Sequence, residues 1–92
     1  MPSVFSLRSE RASVAPSIEG PSEVYPYDIV SYNILNLTGG QWLLSNKRAR
    51  IKSFNDSSVE VEIITGRSGS VSLIYRVDGM DDIILNINIL SL

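Results

Sequence analysis

The side chains of this chain that could do chemistry are carboxylates and cations, because it contains neither histidine nor cysteine. Their absence removes thiolate nucleophiles, imidazole bases, disulfides, and zinc or haem sites of the Cys/His kind. An enzyme would therefore depend on its acids. Glu60 and Glu62 form the closest pair, but on an alternating strand both face solvent, with no pocket predicted around them. We predict that the protein is not an enzyme and has no catalytic residues.

A second acidic group consists of Asp78, Asp81 and Asp82. Hard cations take several oxygen ligands, so a weakly held calcium ion is one interpretation. The spacing of these residues matches no calcium-binding loop, whereas Asp78-Gly79 is an ordinary residue pair for a tight hairpin turn. A structural turn is the preferred interpretation, and we predict no cofactor and no metal.

The cations concentrate in one run, where Lys47 precedes Arg48, Arg50 and Lys52. On a strand, the last three share a face and could dock on an acidic protein surface or a phosphate backbone. The alternative is protection of a sheet edge, and both roles can coexist. The net charge is -2, and no aromatic residue except Phe54 accompanies the run, so we predict a protein partner and no nucleic acid.

The elements that must position these residues are short apolar runs from Ile18 onward, separated by turn residues every 8 to 12 positions or so. No segment has a helical period. The runs predict an all-β immunoglobulin-like sandwich of seven to eight short antiparallel strands over residues 18–92. The expected strands are a kinked edge strand over 17–25, then 29–35, 41–45, 48–54, 58–64, 70–77 and 83–90.

The inward positions of these strands predict one hydrophobic core. A chain of 92 residues is long enough for one domain and too short for two. Alternation along each strand sends its apolar side chains to one face. We expect the single tryptophan, Trp42, to fill the centre between the sheets, packed against Tyr32, Val61 and Leu73.

Residues 1–17 precede this pattern and are predicted to form an extended N-terminal arm that ends at the helix-breaking Pro16. Val4, Phe5 and Leu7 are among its apolar side chains, and an extended segment can add a strand to a neighbour or lie across a partner. A disordered tail, or the last strand of a preceding domain, is the alternative.

The same N-terminal residues bear on export. They contain no long apolar stretch, and Arg8 brings a charge early, so they do not form a secretory signal. No segment approaches the roughly 20 apolar residues that a membrane-spanning helix needs, and we predict no membrane insertion. If Met1 is the natural start, we expect no export by the usual route.

Residues 18 to 91 contain Ile18-Glu19-Gly20-Pro21-Ser22-Glu23-Val24, Tyr32, Trp42, Val59-Glu60-Val61 and Gly69-Ser70-Val71-Ser72-Leu73. With these motifs the chain resembles the bacterial immunoglobulin-like and PKD-like domains that are common in Bacteroidetes surface proteins and in their phages. The resemblance implies an immunoglobulin-like fold with structural rather than catalytic motifs. The chain lacks the inter-sheet cysteines of antibody-type domains and the clustered acidic motifs of calcium-binding cadherin-like domains.

Two functional hypotheses follow. The first is an auxiliary capsid or decoration protein, located on the virion and binding the major capsid protein or another virion protein, with surface glycans as a further candidate partner. Its predicted partner-binding residues are Phe5, Leu7, Arg48, Arg50 and Lys52. The second is a spacer or adhesion module from a larger secreted protein on the bacterial cell surface, in which residues 1–17 form an interdomain linker and Met1 is not the natural start.

Overall fold

A computed structural model describes residues 15–91, and this part of the chain contains β-strands and no helix. The strands fall at the runs predicted from alternating apolar residues, except at the first of them. Their bounds are β1 Ser17–Glu19, β2 Glu23–Val24, β3 Ile29–Leu35, β4 Gln41–Leu44, β5 Ala49–Phe54, β6 Ser58–Ile63, β7 Gly69–Arg76 and β8 Ile83–Ile89.

The strands form two four-stranded sheets, packed as a sandwich around one core. Sheet A has the order β1-β3-β6-β5, and sheet B has the order β2-β8-β7-β4. The pairings are antiparallel except that of β2 with β8, which is parallel. The prediction of a wholly antiparallel sandwich was therefore wrong for this one edge pair.

The parallel pair exists because the first predicted strand is divided between the sheets. At Gly20-Pro21 the chain leaves sheet A and enters sheet B. A Cβ atom on Gly20 would lie 2.9 Å from the Ser31 carbonyl oxygen, so only glycine allows this close approach. The Tyr32 hydroxyl then donates a 2.6 Å hydrogen bond to the Pro21 carbonyl. Burial of the Tyr32 ring raises the pKa of its hydroxyl to about 12.

The core contains the inward-facing residues of both sheets, and no polar or charged residue is buried in the part of the chain that the structure describes. The alternating burial of β6 and β7 confirms the predicted period of two. Each buried side-chain nitrogen or oxygen atom among residues 15–91 has a hydrogen-bond partner. The sandwich is therefore held by apolar packing with its interior hydrogen bonds satisfied.

Two aromatic side chains of this core, Trp42 and Tyr75, form hydrogen bonds to loops at one end of the sandwich. Trp42 is buried and contacts Tyr75 edge to face, with ring centroids 4.8 Å apart. The Trp42 indole Nε1 donates to the Asn55 carbonyl at 3.2 Å. The Tyr75 hydroxyl accepts from the Gly40 backbone nitrogen at 2.7 Å and donates to the Asp56 carbonyl at 3.2 Å. The ring contact of Trp42 with Tyr75 was not predicted from the sequence.

Candidate functional site

A shallow groove of about 340 Å³ lies on the outer face of sheet A, toward the same end of the sandwich. It is formed by β3, β5 and β6 together with the turn that joins β5 to β6. Most of its side chains carry hydroxyl, amide or carboxylate groups. The lining residues are Ser31, Asn33, Ser53, Phe54, Asn55, Ser58, Val59 and Glu60.

The floor of the groove follows from strand alternation. On β3, the buried Tyr32 separates Ser31 from Asn33, so both polar side chains face out. Their partners across the ladder are Glu60 and Ser58 on β6, which also face out. Cross-strand neighbours lie close enough to touch one ligand together. Four polar side chains therefore share one patch.

The wall of the groove is set by a β-bulge in the edge strand β5. Ile51 pairs with Val61 and Ser53 pairs with Glu60, which leaves Lys52 as the extra residue. Regular alternation would have placed Lys52 opposite Glu60. Instead the Ser53 hydroxyl donates to Glu60 Oε1 at 3.4 Å. The bulge thus puts a hydroxyl, and not an ammonium group, beside this carboxylate.

Phe54 stands where this edge strand ends, and it is 71% exposed. The next residue, Asn55, folds the turn: its Oδ1 accepts hydrogen bonds from the backbone nitrogens of Ser57 and Ser58, each at 2.9 Å. Because the Asn55 carbonyl also accepts from Trp42, the turn is fixed to the core. Phe54 is therefore an exposed aromatic residue beside a rigid turn.

The predicted cations lie along and beside the same edge strand. Arg50 faces out and forms a 2.7 Å ion pair with Glu62. Arg48 precedes β5, and its guanidinium donates to the Ser70 carbonyl of β7 at 3.3 Å. Lys52 is exposed at the bulge. The predicted row of three cations on one strand does not include Arg48, because this residue lies in the turn before β5 and its guanidinium bonds to sheet B.

Phe5 and Leu7, the other predicted partner-binding residues, lie outside the described residues, as does most of the predicted arm. The boundary of the arm is seen only at its end, where the Asn36 side-chain amide lies 3.5 Å from the Ala15 carbonyl. The partner-binding roles of Phe5, Leu7, Arg48, Arg50 and Lys52 stay predictions.

The acidic hairpin between β7 and β8 is a turn closed by a hydrogen bond from the Met80 backbone nitrogen to the Val77 carbonyl. Two parallel 2.9 Å hydrogen bonds join the Arg76 guanidinium to Asp82. They lower the pKa of the Asp82 carboxyl and raise that of Arg76. Among residues 15–91, no three acidic side chains are grouped so that they could hold a metal ion.

The groove is the feature that the sequence did not predict. Glu60 and Glu62 were expected on a solvated face without a pocket, yet Glu60 lines the groove and Glu62 binds Arg50. An aromatic residue at the end of a polar edge strand was the available signal. The bulge at Lys52 has no such signal, because nothing in the residue pattern shows which residue is left unpaired.

Within residues 15–91 there is no helix with the length and apolar character to cross a membrane. No protein-family model, curated protein or solved structure matches this chain.

Proposed function

We propose that this chain is a non-catalytic immunoglobulin-like binding module, carried on the surface of a virion as a decoration protein. Its partner would be the major capsid protein or another virion protein. The single observation that carries the proposal is the contrast between a fully satisfied core and an open groove on the outer face of sheet A. A rigid scaffold with one recessed polar surface suits binding, since little conformational entropy is lost there.

The strand order supports an immunoglobulin-like fold. In the constant type, strands A, B, E and D form one sheet, and C, F and G form the other. Sheet A, read as β1-β3-β6-β5, follows the first order, and β4, β7 and β8 of sheet B correspond to the second. Trp42 lies on β4, the counterpart of strand C, where such domains carry their core tryptophan.

The cations suggest how the module would dock. Arg50 is already paired with Glu62, and the ion pair is largely exposed. It therefore contributes little to stability or to docking. Arg48 and Lys52 lie along the free edge of sheet A, and Arg48 reaches toward sheet B, away from the groove. We infer that this edge meets an acidic protein surface while the groove stays open, with Phe5 and Leu7 adding apolar contacts from the arm.

Particle retention tests this docking. We expect Lys52→Glu to lower the occupancy of the chain on native particles by several-fold, because it reverses the exposed charge at the centre of the edge. Arg67→Glu is the matched control, since Arg67 is an exposed cation in the loop between β6 and β7 and does not lie on β5. Occupancy is measured by co-sedimentation and quantitative mass spectrometry.

The outcomes separate the parts of the proposal. Loss of retention in Lys52→Glu and not in Arg67→Glu supports docking through the edge. Equal retention of all variants contradicts it. A variant lacking residues 1–14 tests the arm in the same assay, and unchanged occupancy of this variant would remove Phe5 and Leu7 from the interface.

A spacer module of a larger surface protein is the second candidate, and the positions of the first and last strands favour it. Ser17 pairs with Leu35 at the end of the sandwich that carries the 55–57 turn, whereas Ile89 pairs with Gly69 at the opposite end. A domain whose first strand begins at one end and whose last strand finishes at the other can be joined to further domains in a linear row. The mass of the native polypeptide decides between the two: a 10.1 kDa chain on particles supports decoration, and a long exported polypeptide supports the spacer.

A further inference from the structure

The groove on sheet A has the composition of a site for an uncharged, hydroxyl-rich ligand. Its volume of about 340 Å³ lies at the lower end of the roughly 300–1,000 Å³ range of small-molecule sites. The Ser31 hydroxyl and the Asn33 amide form no side-chain hydrogen bond within residues 15–91 and face out on the floor of the groove. Both groups are therefore available to a ligand.

The charges around the groove argue against an anionic ligand. Glu60 is the charged residue in its lining, and the bulge puts a Ser53 hydroxyl, not Lys52, beside it. Arg50, which faces out on the same sheet, is occupied by Glu62 at 2.7 Å. A phosphate, a nucleic acid or an acidic polysaccharide in the groove would lie against the Glu60 carboxylate, which is unfavourable.

The bulge also argues against a peptide that adds a strand to the edge of sheet A. Strand addition requires a regular row of unpaired backbone groups along the edge strand. The extra residue Lys52 breaks the regular spacing of β5 at the level of the groove. A partner strand could not keep its hydrogen-bond register with β5 there, and its side chains would contact the Lys52 ammonium group.

The remaining feature is Phe54, which lines the groove with 71% of its surface exposed. A phenylalanine at this exposure adds little to the core, so packing does not explain it. An exposed aromatic ring can, however, stack on the apolar C–H face of a sugar ring, while hydroxyls of the sugar bond to serine and asparagine. The turn after Phe54 is fixed by Trp42, so the ring is presented at low entropic cost.

We propose that this groove binds a segment of neutral carbohydrate, with Phe54 stacking on a sugar ring and Ser31, Asn33 and Glu60 bonding to its hydroxyls. The inference rests on the proposed function and deepens it, because it gives the docked module a second, outward-facing contact. The ligand class is an uncharged glycan, of the kind that cell surfaces display.

Affinity electrophoresis of the full chain tests the proposal. The probes are a soluble β-glucan, an α-glucan, a mannan and a galactan, with alginate as an anionic comparison. We expect at least one neutral polysaccharide to retard the wild type. Phe54→Ala and Asn33→Ala should weaken that binding by tenfold or more, because they remove the stacking ring and a hydrogen-bonding amide.

Sheet B offers a matched control for each variant. Ile84→Ala removes a large exposed apolar side chain, and Asn88→Ala removes an exposed amide. Both should bind within about twofold of the wild type. The four positions are exposed, so substitutions there should change stability by no more than about 0.5 kcal/mol, and thermal melting confirms that each variant is folded.

Each result has a defined meaning. Absence of retardation by all four neutral polysaccharides overturns the proposal, as does retardation that Phe54→Ala leaves unchanged. Binding of alginate alone, sensitive to salt and lost in Lys52→Glu, would assign the site to anions instead. Particle retention is measured separately, so a chain that docks on particles but binds no glycan refutes this inference and leaves the proposed function standing.

Discussion

The outer faces of the two sheets differ in what their polar side chains do. On sheet B, the Ser72 hydroxyl is not free to bind a ligand, because it donates a hydrogen bond to Asn86 Oδ1 at 2.7 Å. At the β7–β8 hairpin, Arg76 and Asp82 are joined by two hydrogen bonds. On sheet A, by contrast, the outward Ser31 and Asn33 line an open groove. On sheet B these groups bond to each other, although Asn88 stays exposed there, whereas the groove of sheet A leaves Ser31 and Asn33 to solvent.

The apolar side chains on the outer faces of the two sheets also differ in their arrangement. Leu43, Ile74 and Ile84 are cross-strand neighbours, so they form one row across sheet B. On sheet A, Phe54 is opposite Val59 at the end of the edge strand, and it lines the recess with 71% of its surface exposed. Side chains that cover each other stabilise a sheet, whereas an aromatic ring beside polar groups suits a ligand. The comparison teaches that a face suits a ligand when its unpaired polar groups also line a recess.

The largest effect we predict comes from the core element beneath both faces. Trp42→Ala should lower the free energy of unfolding by about 3–5 kcal/mol, because it removes a buried indole and its contact with Tyr75. It should also release the turn after Phe54, since the bond to the Asn55 carbonyl is lost. Urea unfolding measures the change, with Ile84→Ala as the surface control, and a loss below about 1 kcal/mol would contradict the central position of Trp42.

A smaller effect concerns the ion pair on the side of sheet B. Because Arg76 lowers the pKa of the Asp82 carboxyl, the folded state holds this group ionised more strongly than the unfolded chain does. Its stabilising contribution is present above the ordinary aspartate pKa of about 3.9 and is lost as the pH falls through the lower folded value. Acidic pH therefore weakens the Arg76–Asp82 ion pair, and neutral pH restores it.

Asp82→Asn should therefore reduce the decrease in melting temperature between neutral and strongly acidic pH. Arg76→Gln should flatten it to the same extent, since either change removes the same interaction, and the double variant should add nothing further. Thermal melting across this pH range is the measurement. An unchanged slope in both single variants would show that the pair does not contribute to stability.

The sequence predicted the core of this fold well and the site poorly, for a physical reason. Alternation with a period of two encodes which side chains are buried, and the runs in β6 and β7 therefore showed their inward faces directly. The division of the first strand was missed because Gly20-Pro21 signals a kink but not the sheet to which the next residues belong. Only tertiary contact decides that pairing.

The groove was missed because it depends on register. The sequence shows that Ser53, Phe54 and Glu60 lie near turns and strand ends, but not that a bulge at Lys52 brings Ser53 opposite Glu60. Local sequence carries little information on where a bulge falls. Arg48 was placed on the strand because the basic and apolar residues alternate from that position, whereas β5 begins at Ala49.

The central claim is that the outer face of sheet A, and not that of sheet B, receives a ligand. Hydroxyl-radical footprinting of the chain, with and without each neutral polysaccharide, tests it most directly, because Phe54, Met80 and Ile84 are all exposed enough to report. We predict that at least one polysaccharide slows oxidation at Phe54 while Met80 and Ile84 react at their free rates. Protection of Met80 and Ile84, or protection of Phe54 by no member of the panel, would contradict the account.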